Sequence, residues 1–348
     1  MHSPENSILE SVIRFTEERD KKSLAILFIQ ELMNLKEVEH VILLDVPPVA
    51  DGKLFKVSET SSKQAIGVYF NIGLVEKNTC YIETEPHLEQ LIELQSPLTD
   101  GASDDKTQRA FFPITLNKNI HAILCIYGNN LCHDTIRSVT NMIAIYNNFL
   151  GVIDDGERDS LTRLFNRKTF DLQLAYLVRQ ATSNLPALSS GERRKNNNDT
   201  FHWIGILDID HFKSINDNYG HMYGDEVLLL FSTLLRDSFR SSDLLFRYGG
   251  EEFIVVLAPA REQDAVATFE RFREKLTAFN FPQVGQVTAS IGMVKMDTQH
   301  HTTTLLDHAD QALYYAKENG RNQVCNYTTL VEQGLLEEKD MLNDVEMF

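Results

Sequence analysis

The sequence predicts an α+β chain in which two domains are joined by a helix, and three features of its pattern predict it. Beyond residue 200, apolar strand-like runs alternate with stretches of helical periodicity, the order of a mixed sheet covered by helices. Residues 1–133 carry a pattern of their own, a helix followed by strands and a late hairpin. Between the two, apolar residues recur at the spacing of a long helix. A length of 348 residues suits two domains, and 43% hydrophobic residues allow each its own core.

Residues 5–36 have helical periodicity, with Ile8, Val12 and Phe15 on one face and Leu24, Leu27, Phe28, Leu32 and Leu35 along the next stretch. The period then changes. His40–Val46 is a strand stopped by Pro47 and Pro48, Lys53–Val57 and Ile66–Phe70 are shorter candidates, and Phe111–Leu116 with Ile120–Tyr127 form a hairpin around Asn117-Lys118-Asn119. This order resembles a GAF sensor domain over residues 1–133, with a PAS-like sensor as the alternative; no residue there declares itself as a ligand group. Ile136, Val139, Ile143, Tyr146, Leu150 and Ile153 alternate spacings of three and four, the seam of a coiled coil, which predicts a signalling helix over 134–158. A single helix packed on its own domain would use the same spacing.

A net charge of −17 argues against nonspecific DNA or RNA binding, because a phosphate backbone repels an acidic surface. Binding of a nucleotide by local Lys, Arg and metal is untouched. No window of about 18 apolar residues occurs, and the start Met1-His2-Ser3-Pro4-Glu5 lacks a basic stretch followed by an apolar one. The expectation is a cytoplasmic protein with neither nucleic-acid nor membrane partners. Cys80, Cys125, Cys132 and Cys325 show no CxxC spacing, so neither a disulfide framework nor a zinc ribbon is supported. Cys132-His133 reads as loop sequence rather than a redox or metal sensor, and His300-His301 as solvated.

The chemistry concentrates in residues 244–257, two apolar runs joined by Gly249-Gly250 with Glu251 and Glu252 straight after. Adjacent glycines tolerate φ > 0 and leave the turn backbone open to a phosphate. Upstream, Trp203–Asp210 is a buried-type strand carrying Asp208, followed by His211-Phe212-Lys213-Ser214-Ile215-Asn216. If this strand pairs beside the hairpin, Asp208, Glu251 and Glu252 converge on one edge. An oxygen-only set of that kind suits Mg²⁺ rather than zinc, and two such ions about 4 Å apart serve nucleotidyl transfer. Taken alone, the acidic turn also fits a solvated hairpin. Leu161–Val178, Glu226–Phe239, Glu262–Phe279 and Thr304–Lys317 read as helices, Gln286–Val294 as a strand, 181–200 as a polar loop, and 328–348 as an acidic tail.

Arg247-Tyr248-Gly249-Gly250-Glu251-Glu252-Phe253 resembles the signature of the GGDEF family, the diguanylate cyclases, in its Glu variant. Four further motifs follow the family order: Asp159–Arg167, Asp208–Asp217, Gly220–Asp225 and Ala309–Asn322. The resemblance covers residues 159–327, slightly under half the chain. It implies a β-α-β-β-α-β sheet like the palm of nucleotide polymerases and cyclases, with helices on one face. It also implies condensation of two GTP to cyclic di-GMP with Mg²⁺, for which Mn²⁺ can substitute. Asp208, the Ile209 carbonyl, Glu251 and Glu252 would hold the metal, and Glu251 would deprotonate the 3′-hydroxyl. Lys213 would neutralise phosphate charge. Phe212, Gly249 and Gly250 would line the substrate. Asn216 and Asp225 would read guanine, a carboxylate accepting the paired donors that adenine lacks. His221 would lie beside them, and Lys317 and Arg321, one helical turn apart, would grip phosphates.

Each of these residues has a plainer reading: a helix cap for Asn216, an N-cap for Asp225, a solvated face for Lys317 and Arg321. Their joint occurrence at family spacing favours the functional one. Arg240-Ser241-Ser242-Asp243 resembles the family's product-inhibition site, with Arg271 as its second arginine, so cyclic di-GMP is expected as product and inhibitor. One domain holds one GTP, which implies a homodimer through the linker helix and the sensor, whose ligand is unidentified. A silent member that binds GTP or cyclic di-GMP and signals by protein contact is the alternative. No acidic or glycine residue of the hairpin is missing, which favours the enzyme.

Overall fold

The computed structural model describes residues 12–45, 97–100, 107–117, 119–129, 131–183, 200–296 and 302–337. The expected strands Lys53–Val57 and Ile66–Phe70, Cys80, His300-His301, most of the 181–200 loop and the end of the tail lie outside them. The chain divides into two compact units, Met1–Gly156 and Glu157–Phe348.

In the first unit the predicted helical stretch is interrupted at Asp20. Its carboxylate accepts the Ser23 N–H at 2.8 Å and caps α1 (Lys21–Met33). The predicted hairpin forms as β3 (Thr107–Leu116) and β4 (Asn119–Asn129), turning at Asn117, whose φ is 52°. With β1 (His40–Asp45) and β2 (Leu98–Asp100) it makes a four-stranded antiparallel sheet in the order β1-β4-β3-β2. α2 (His133–Glu157) carries the apolar seam, and the buried residues of that seam close the core of their own unit. Val139, Ile143, Tyr146 and Leu150 are buried with Leu24, Phe28 and Leu32 of α1, and Tyr146 stacks on Phe28 at 4.3 Å. A heptad-like stripe and the buried stripe of one globular helix obey the same spacing.

The second unit is a six-stranded sheet in the order β12-β11-β6-β8-β7-β5. Its strands are β5 (Phe165–Asn166), β6 (Phe201–Ile209), β7 (Leu244–Gly249), β8 (Glu252–Ala260), β11 (Ala289–Lys295) and β12 (Val324–Asn326). β9 (Asn280–Phe281) and β10 (Gly285–Gln286) form a separate small hairpin. β6 lies antiparallel between β8 and β11. Its unbroken apolar run is explained by burial on both faces. Trp203, Leu207 and Ile209 pack with Phe231 of α5 (His221–Ser238) and Phe269 and Phe272 of α6 (Glu262–Ala278). Ile204 and Ile206 pack with Phe170 of α3 (Arg167–Ser183) and Leu305 and Leu313 of α7 (Thr302–Glu318). Helices therefore cover both faces, not one. Trp203, 1% exposed, also donates its indole N–H to the Ala260 carbonyl at 3.1 Å.

Two helix starts differ from expectation. The helix predicted from Leu161 begins at Arg167, because Asp159 accepts the N–H and the hydroxyl of Thr162 at 2.8 and 2.7 Å and makes a turn of that stretch. The Asn166 side chain then takes the Thr169 N–H at 3.0 Å at the head of α3. The helix predicted from Glu226 starts at His221, directly after Gly220 ends α4 (Phe212–Tyr219). At the C-terminus α8 (Tyr327–Glu332) buries Tyr327 and Leu330, so the first residues assigned to the tail belong to the core. Among the described residues no helix is long and apolar enough to cross a membrane.

Candidate active site

The acidic residues meet where β6 and the β7–β8 hairpin end. The antiparallel register sets Asp208 against Glu252 of β8 and, on the other side, against Ser290 of β11. The hairpin turns at Gly250-Glu251 rather than at Gly249-Gly250: Gly249 still pairs with Glu252, and Gly250 takes φ 51°. Glycine adopts that conformation without strain, which lets Glu251 stand at the tip. The Ile209 N–H donates to the Glu251 carbonyl at 3.4 Å. Arg247 braces the turn from behind, with Nε and Nη2 on the Gly250 carbonyl at 3.1 and 3.0 Å and Nη1 on the Asp159 carboxylate at 3.0 and 3.2 Å.

Alternation along β6 puts Asp208 on the face of Ile204 and Ile206, toward α7. Lys317 of α7 reaches Asp208 Oδ2 with its Nζ at 2.8 Å. The helix can lie this close because residue 292 is glycine; a Cβ there would fall on the backbone of Ala309 and Leu313. Burial pushes the Asp208 carboxyl above its ordinary value, Lys317 opposes the push, and Glu251 and Asp210 add to it. Glu252 is pushed up as well, by burial first and then by Asp208, again against Lys317. One lysine thus leaves the carboxylates incompletely neutralised. Among the described residues, no group of three His, Cys, Asp or Glu side chains is arranged to hold a metal ion.

The remaining candidates surround this edge. Lys213 is exposed in the first turn of α4, while the Phe212 ring is buried in the core. What Phe212 can offer a ligand is its backbone N–H in that turn. Asn216 lies inside α4, not at a cap, and packs on Gly224, where a Cβ would strike its Oδ1. His221 and Asp225 are exposed, one turn apart on α5; with the helix starting at His221, Asp225 is no N-cap. Lys317 and Arg321 do not share a helix turn. α7 stops at Glu318, and Gly320, Arg321 and Asn322 take φ of 109°, 61° and 44°.

Residues 157–323 match the family model described as "Diguanylate cyclase, GGDEF domain". They form a GGDEF domain. The chain is 38% identical over 175 residues to "Diguanylate cyclase DosC" of Escherichia coli K12, covering 48% of this chain and 34% of that protein. It is 36% identical over 169 residues to "Probable diguanylate cyclase DgcC" of the same strain, covering 48% and 42%. The chain therefore spans less than half the length of these curated relatives. A solved GGDEF domain, that of DgcB from Caulobacter crescentus in complex with c-di-GMP, is 28% identical, with a TM-score of 0.43 and coverage of 49% of this chain and 96% of that one.

On the far side of the GGDEF domain's hairpin, Arg240 and Arg271 are exposed, and Arg271 Nη2 donates to the Ser238 carbonyl at 3.0 Å, two residues before Arg240. Asp243 is engaged locally: its carboxylate accepts the N–H groups of Arg240 and Ala258, each at 2.9 Å. Sequence reasoning missed the parts that hold the GGDEF domain's edge in place. Arg247 and Asp159 stood in the quoted motifs, but nothing local joins positions 88 residues apart. Asp210, 6% exposed, was likewise unassigned.

Proposed function

We propose that the chain is a diguanylate cyclase that condenses two GTP into cyclic di-GMP and two pyrophosphates, as its relatives' names suggest. The observation that carries this reading is the meeting of Asp208 and Glu252 in register with Glu251 at the glycine turn, beside Lys317. Asp208, Glu251, Glu252 and the Ile209 carbonyl are hard oxygen donors, and the upward push on Asp208 and Glu252 marks charge that a divalent cation would neutralise. As hard oxygen donors they match Mg²⁺ in chemistry, with Mn²⁺ able to substitute, and would close around the ion on binding it. When bound, Mg²⁺ supplies charge neutralisation to the phosphates.

The chain's own residues do the rest. Glu251 takes the proton from the 3′-hydroxyl as its oxygen attacks the α-phosphate of the second GTP. The α-phosphate to β-phosphate bond breaks, and pyrophosphate leaves. Lys213, Lys317 and Arg321 hold the phosphate charge, and Gly249, Gly250 and the Phe212 N–H leave backbone open to it. Asn216 and Asp225 read guanine, with His221 beside them. One domain offers one such site, so the symmetric product requires two copies facing each other. The first unit, GAF-like with an unidentified ligand, regulates that encounter in the cytoplasm. Arg240, Asp243 and Arg271 bind cyclic di-GMP as an inhibitor.

The test is product formation from GTP and Mg²⁺ by the purified full chain, with ATP as control. Cyclic di-GMP from GTP alone, lost in Glu251→Gln and resistant to added product in Arg240→Ala, is the expected result. GTP binding without product in a dimeric chain would leave a silent binding module.

A further inference from the structure

Arg321 lies in a turn that its own backbone does not favour. Gly320, Arg321 and Asn322 are consecutive left-handed residues, and two of them carry side chains. Such a conformation persists only where neighbours over-determine it. The neighbours are specific. Asp210 Oδ2 accepts the Asn322 N–H at 3.1 Å and the Thr288 hydroxyl at 2.7 Å, and its Oδ1 accepts the Ser290 hydroxyl at 2.7 Å. The Asn322 Oδ1 accepts from Arg273 Nη1 and the Thr277 hydroxyl of α6, each at 3.1 Å. Asn322 is thus held through its N–H by the end of β6 and through its side chain by α6. Asp210 stands two residues beyond Asp208 and adds negative charge beside it. A carboxylate placed there carries an electrostatic penalty that a purely architectural group would avoid.

We propose that Asp210 and Asn322 are positioning residues for Arg321: they lock the left-handed turn after α7 and so set how tightly the triphosphate is gripped. The inference rests on the functional reading above and extends it to two residues that touch no substrate. Asp210 is buried, so it acts through Arg321 and not on phosphate.

The experiment is equilibrium binding of a non-hydrolysable GTP analogue with Mg²⁺ to the full chain, with KM and kcat measured alongside. Asp210→Ala is expected to weaken binding about tenfold, the worth of a hydrogen bond to a charged group, and to raise KM more than it lowers kcat. Asp210→Asn keeps an acceptor for the Asn322 N–H and should restore most of the affinity. Arg321→Ala should weaken binding about as much as Asp210→Ala, and the double variant should be little weaker than Arg321→Ala alone, because a mispositioned arginine has nothing left to lose. A merely structural Asp210 would give additive losses, and that result overturns the proposal. If Asp210→Ala does not fold, Asn322→Gly and Asn322→Ala decide. Both lose the side-chain oxygen, but only alanine resists the left-handed backbone, so Asn322→Ala should bind more weakly; equal binding overturns the proposal. A wild-type chain that binds no analogue overturns the functional reading and this inference with it, whereas wild-type binding matched by every variant overturns the inference alone.

Discussion

Two buried aspartates, one in each unit, carry the same local pair and have opposite meanings. Asp154 of α2 is 1% exposed and meets Lys21 Nζ at 2.8 Å, with Asn117 Nδ2 as a further donor at 3.2 Å. Asp208 meets Lys317 Nζ at the same 2.8 Å but faces Glu251 and Asp210 as well. Asp154 gathers donors and ties the end of α2 to α1 and to the β3–β4 turn. Asp208 gathers like charge. A buried carboxylate with donors supports the fold, and one crowded by carboxylates carries a charge its surroundings oppose, the pattern on which the proposed cation role of Asp208 rests. The ion pair alone does not tell them apart.

The sharpest way to break the comparison is at the turn beside Asp208. Glu251→Gln should lower kcat about 10²- to 10⁴-fold, the range for loss of a general base, with the thermal midpoint nearly unchanged; a kcat within tenfold of wild type would remove Glu251 from the chemistry. Next is Asp154→Ala, expected to cost the first unit about 2 kcal/mol in a denaturant titration. That lies below the usual range for a broken buried pair because Lys21 keeps 28% exposure and can be hydrated. Asp208→Asn should move the other way. Its folded pKa is raised, so wild type loses stability as pH climbs from the unfolded carboxylate value through the folded one, and the charged form is penalised above it. In chelator at neutral pH the variant should therefore be the more stable of the two in a denaturant titration, a difference that vanishes in acid.

The smallest effect is at the Asp159–Arg247 brace. Burial raises the Asp159 carboxyl, but hydrogen bonds from Thr162 and Arg247 outweigh it and hold the group below its ordinary value. That stability is present above the unfolded pKa of about 4 and is lost as pH falls through the folded one. Arg247→Met should flatten the acid limb of the stability curve by about 0.5–1 kcal/mol.

The acidic edge was legible because its information is local: alternation marks the strands and the glycines mark a turn between them, although that turn falls at Gly250-Glu251, one residue later than the glycine pair. The start of α3 was not, since Asp159 and Asn166 divert backbone groups into turns that apolar periodicity does not record. The fate of the seam on α2 was undecidable from spacing, because Val139 and Leu150 would recur identically against a second chain or against Phe28. The Asp210 lock was illegible for a different reason: its partners Thr288, Ser290 and Asn322 lie 78, 80 and 112 residues away. Each is an ordinary polar residue until the sheet brings it near.

The sequence holds one tryptophan, and it is the buried Trp203 of β6. Indole emission, excited at the red edge where tyrosine does not absorb, therefore reports on the second unit alone, and its red shift on denaturation would time the loss of that sheet. Because the indole shares a strand with Asp208, the same unlabelled signal follows the folding of the strand that carries the acidic edge.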